Sequence, residues 1–64
     1  MAKTVYDVLN EKIEDLKKSS ANFLANGGAK SFEEYREVCG VIRGLTAAQM
    51  EVQDLAKINE EWDD

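Results

Sequence analysis

The sequence predicts an all-α fold: an antiparallel two-helix hairpin whose longer second helix overhangs the first. Three observations carry this. Apolar residues recur at steps of three and four over two long stretches, which is helical periodicity. Asn26-Gly27-Gly28 stops the first stretch, and Ser31-Phe32-Glu33-Glu34 starts the second. The segment between them is short, and a short connection makes successive helices antiparallel neighbours. Residues 1–64 therefore read as one helical-hairpin domain, with a helix over about 4–25, a turn over 26–31 and a helix over about 32–61.

The first helix places Val5, Val8, Leu9, Ile13, Leu16, Phe23 and Leu24 on an apolar stripe, with Ala21 and Ala25 beside them. Charged residues from Asp7 to Lys18 fill most of the remainder. Thr4 and Asp7 have the spacing of a capping box, with Asp in place of the usual Glu. In the turn, Asn and Gly tolerate the left-handed conformation that closes a helix C-terminus. Ser31 is then an N-cap, and Glu34 can reach back to complete a second capping box.

In the second helix Tyr35, Val38, Ile42, Leu45, Gln49, Val52, Ala56 and Asn59 follow a heptad-like rhythm. Val41, Ala48, Leu55, Ile58 and Trp62 widen the stripe beyond what one partner helix requires, so a second buried flank is expected. Gln49 interrupts the seam. It reads as a side chain reaching solvent at the stripe edge, or else as a register-setting polar group. Gly40, Gly44 and Ala48 form a smooth ridge at four-residue spacing. Glycine inside a helix costs about 1 kcal/mol against alanine, so two of them suggest close approach of another helix, with a kink as the alternative. Ala21 and Ala25 are the expected helix-packing partners.

If Ala25 pairs near Ser31, facing residue numbers add to roughly 56–57 by hairpin geometry. The second helix then overhangs at its C-terminal end by roughly two to three turns, at about 1.5 Å per residue. Leu55, Ile58 and Trp62 would stand there uncovered, flanked by Glu60 and Glu61, as a partner-binding element. Acids at the negative end of a helix dipole favour fraying unless a cationic partner meets them, so the competing reading is a loose acidic tail.

Composition narrows the function classes. A chain of 64 residues buries a small core. It has no His and a single Cys39, so neither an internal disulfide nor a zinc site can brace it. Oligomerisation or docking on a larger protein is the expected support. Residues 1–31 carry five Lys and four acids, whereas residues 32–64 carry two Arg, one Lys and nine acids. That balance argues against direct nucleic-acid binding. No apolar run reaches the roughly 18 residues of a membrane span, and no secretory leader is read at the start. Without histidine the commonest general base is missing. Cys39 reads as a small buried hydrophobe, Gly27-Gly28 lacks the context of a phosphate loop, and the acidic ending does not match an EF-hand. No catalytic, cofactor-binding or metal-binding residue is expected.

Ser31-Phe32-Glu33-Glu34-Tyr35-Arg36-Glu37-Val38-Cys39-Gly40-Val41-Ile42-Arg43-Gly44-Leu45 and the later Asp54-Leu55-Ala56 resemble a group of very short tailed-bacteriophage proteins, often encoded near head and packaging genes. The resemblance spans Ser31 to Ala56, about half of the chain. It implies a phage accessory or virion-associated protein and supplies no site residues. The leading expectation is a non-enzymatic structural or assembly protein, in the virion or the host cytoplasm. It would dock in several copies on a head (capsid), portal or connector protein. The alternatives are a phage-encoded inhibitor binding a host protein through its acidic second helix, and a free-standing helical dimer with a regulatory role.

Overall fold

The computed structural model describes residues 3–62 and consists of two helices, α1 (Val5–Ala25) and α2 (Phe32–Trp62), packed as a hairpin; no strand occurs among the described residues. The punctuation follows the sequence. Asp7 N–H donates to Thr4 Oγ1 at 3.1 Å, and Thr4 N–H donates to Asp7 Oδ2 at 3.0 Å, a complete capping box with the shorter acid. At α2 the Glu34 N–H donates to Ser31 Oγ at 3.1 Å, but the Glu34 carboxylate reaches one residue further back, to Lys30 N–H at 2.8 Å.

The end of α1 is a Schellman closure. Gly27 N–H donates to Leu24 O at 3.1 Å and Gly28 N–H to Phe23 O at 2.8 Å, with Gly27 at φ +76°. The Phe23 ring lies over Gly28. A Cβ built on Gly28 would stand 2.5 Å from two ring carbons and 2.7 Å from the Phe23 carbonyl oxygen. Only glycine fits under that ring without movement.

The register differs from the sequence expectation. Gln49 lies between Glu14 and Lys17, pairs whose numbers add to 63 and 66. Tyr6 shares a groove with Leu55, Ile58 and Asn59. Facing numbers therefore add to about 64, two turns away from the expected 56–57 at about 3.6 residues per turn. After Gly28 the chain keeps rising past the end of α1 before α2 begins. By this register Ala25 stands level with Cys39, so the main overhang of α2 is residues 32–38 at the loop end. Phe32 and Tyr35 there are 71% and 48% exposed. At the other end Val5 stands level with Asn59, which corrects the placing of Leu55 and Ile58 beyond the reach of α1.

The seam itself is narrow. On α1 the inward positions are Tyr6, Asn10, Ile13, Lys17, Ser20 and Leu24, at alternating steps of four and three. On α2 they are Val38, Ile42, Leu45, Gln49, Val52 and Ala56, as the heptad rhythm predicts. Among the described residues only Ile13 and Val52 are buried, each at 8% exposure. Three of the six α1 seam residues are polar, and the Asn10 side-chain oxygen Oδ1 is buried without a hydrogen-bond partner. Most of the apolar stripe expected to form the α1 core instead faces outward.

Gln49 is a clasp, which corrects the reading of it as a solvent-reaching edge residue. Its Oε1 accepts from Lys17 Nζ at 3.0 Å while its Nε2 donates to Glu14 Oε2 at 2.7 Å. That hydrogen bond, helped by Lys17 and Lys18 against a smaller desolvation effect, holds the Glu14 carboxyl below its ordinary value. A depressed folded-state value adds stability above the unfolded-state value, and that stability is lost as pH falls through the folded one. Thermal melts should therefore show Glu14→Gln below the parent at neutral pH. The gap should close on acidification below the ordinary glutamate value of about 4.3. A gap that stays constant with pH would remove Glu14 from the clasp.

Candidate protein-binding face

The outward apolar residues are not scattered. On α1, Val5, Leu9, Leu16 and Phe23 are 73%, 44%, 55% and 46% exposed. Leu9, Leu16 and Phe23 repeat at heptad intervals, and with Val5 they lie about a quarter-turn to one side of the seam, by the helical repeat. On α2, Val41, Leu55 and Ile58 are 53%, 54% and 41% exposed, with Gly44 and the half-buried Ala48 between them. Each of these sets is displaced from its own seam in the same rotational sense about its helix axis. Because the helices run antiparallel, equal senses bring the two sets to the same side of the hairpin. The result is one continuous apolar face that runs along both helices. At one end Tyr6, Leu55, Ile58 and Asn59 frame a groove in it.

The shape fits a surface awaiting a partner. The hairpin extends 51 × 20 × 10 Å with a radius of gyration of 15.1 Å, against about 11 Å for a compact chain of this length. Its accessible surface is 5325 Å², against about 4,100 Å² for a compact monomer of this mass.

The small-residue ridge does not work as the sequence suggests. A Cβ built on Gly40 or Gly44 meets nothing within 4 Å, so neither glycine admits α1. Ala21 and Ala25 stand level with Gly44 and Gly40 but project on the opposite side of the hairpin, and both are exposed. The pairs match in height and miss in direction. Gly40 points largely away from α1, so Gly40→Ala should gain the full helix-propensity term of about 1 kcal/mol. That corresponds to a melting temperature about 4–8 °C higher for a domain of this size. A lower melting temperature would show that Gly40 is packed after all.

Of the expected docking residues, Leu55 and Ile58 lie on the apolar face, whereas the side chains of Glu60, Glu61 and Trp62 fall outside the described residues. Cys39 is half-buried, not enclosed, and shares a shallow depression with Tyr35, Arg36, Gly40 and Arg43. Sequence reasoning missed the two guanidinium groups that flank it, although one-turn spacing from Arg36 and Arg43 announces them. The Tyr35 phenol is pushed up, chiefly by its hydrogen bond with the Cys39 thiol. No helix among the described residues is long and apolar enough to cross a membrane, and no group of three potential metal ligands occurs among them.

Comparison with family models, curated proteins and solved structures found no match. The apolar face therefore has to be interpreted from its own chemistry.

Proposed function

We propose that the chain is a non-enzymatic protein-binding module that serves as a structural or assembly component of a tailed-phage particle. The observation that carries the binding role is the apolar face. A hairpin with two buried residues among those described and a row of half-exposed Leu, Val, Ile and Phe side chains gains most from covering that row. The phage setting rests on the resemblance of residues 31–56 to short phage proteins. The acidic second helix of the inhibitor reading has less behind it. By helical position Glu33, Glu37 and Glu51 fall on one side of α2, whereas Asp54 falls on another, among Arg36, Arg43 and Lys57.

The test is quantitative peptide mass spectrometry of purified particles of the encoding phage. A fixed ratio to the major head protein is the expected result, and loss of that ratio on deleting residues 59–64 would give the C-terminal turn its docking role. Absence from particles that are otherwise complete would overturn the structural reading.

A further inference from the structure

The register of the hairpin carries a consequence for what covers the apolar face. Facing residues within the chain add to about 64, and the outward residues obey the same relation. Leu9 stands level with Leu55, Leu16 with Ala48, and Phe23 with Val41. Outside this apolar row the exposed Lys12 stands level with the exposed Glu51.

We propose that the occupant of the face is a second copy of this chain, related by a two-fold axis parallel to the helices. This deepens the binding role proposed above, because it names what the face binds. Such an axis lays α1 of one copy antiparallel on α2 of the other at unchanged heights. Each level pair is then brought into contact across the interface. Leu16 enters the space left by Ala48 of the second copy, and Lys12 meets Glu51 of the second copy at the rim, twice by symmetry. The same operation with the axis across the helices would lay α1 on α1 and bring no opposite charges together. The two helices run side by side only over the length of α1, about 30 Å at about 1.5 Å per residue, and the hairpin is 20 Å wide, so the shared face is near the lower bound of specific interfaces, about 600 Å² per partner. The product is a four-helix bundle whose second seam repeats the heptad spacing of the first.

The experiment is sedimentation equilibrium of the full chain at up to about 100 µM, with Lys12→Glu, Glu51→Lys and their equimolar mixture. Both residues are exposed, so circular dichroism should show all forms helical. The parent is expected to be a dimer. Each single reversal sets like charges against each other twice and should weaken the dimer about tenfold or more. In the mixture every contact is again between opposite charges, so heterodimers should recover the parent affinity. A parent that stays monomeric, or forms any other stoichiometry, overturns the proposal. So does a dimer indifferent to the reversals, or one that mixing fails to rescue. Particle content is measured separately, so a monomeric result leaves the virion reading to its own test.

Discussion

Ile13→Ala is expected to be the most damaging single truncation in the chain, costing about 2–4 kcal/mol. A chain of this size has about 3–10 kcal/mol of stability in total, at the usual per-residue value, so the variant should lose a large fraction of its stability. The reason is the narrowness of the seam. Ile13 is one of two buried side chains among the described residues, and Lys17 and Ser20 follow it on the same face of α1. No neighbouring aliphatic group on that helix can close the cavity. Urea titration followed by circular dichroism measures the effect. A loss below about 1 kcal/mol would mean that the seam is centred elsewhere, most simply on the Leu9–Leu16 row.

Gly28→Ala comes second, at about 1–3 kcal/mol. The new methyl group would meet the Phe23 ring, which can turn away, and the Phe23 carbonyl oxygen, which cannot. That oxygen is fixed by accepting the Gly28 N–H, the bond that closes the end of α1. The variant must either open the Schellman closure or displace the loop, and both loosen the register. Gly27→Ala offers a contrast. A Cβ there meets nothing, so its cost is only that of a left-handed φ, about 1–2 kcal/mol. Melting both variants side by side separates crowding from backbone strain. Equal losses with an unmoved Phe23 ring would discount the crowding.

Local features were legible in the sequence because they are written in a few adjacent residues. Thr4 with Asp7, Asn26-Gly27-Gly28 and Ser31 each specify a cap through their own hydrogen bonds where the spacing places it, although Glu34 reaches back to Lys30 N–H and not to Ser31 to close its box. The heptad of α2 from Val38 to Ala56 was legible for the same reason. Register was not. It depends on how far residues 28–31 climb before α2 starts, and no side-chain pattern encodes that rise. The inward face of α1 was also hidden. Its apolar stripe is wider than one helix can cover, and the hairpin uses only the Ile13–Leu24 edge while leaving Leu9, Leu16 and Phe23 outside. The ridge of Gly40, Gly44 and Ala48 misled because spacing fixes height along a helix but not the direction of the neighbour.

The Gln49 clasp bears on how the two helices keep their place along one another. The aliphatic seam residues of α2 recur at heptad spacing, so a slide by one heptad would still set a branched side chain, Leu45, opposite Ile13. Gln49 breaks that equivalence. A slide would set Ile42 or Ala56 opposite Glu14 and Lys17, leaving both charges without the amide that serves each by a different atom. Carboxylate and ammonium make opposite demands, and a side-chain amide answers both when its oxygen faces one and its nitrogen the other. The pin therefore has polarity as well as position, and Gln49→Leu should yield a seam that is greasier yet free to ratchet between alignments one heptad apart.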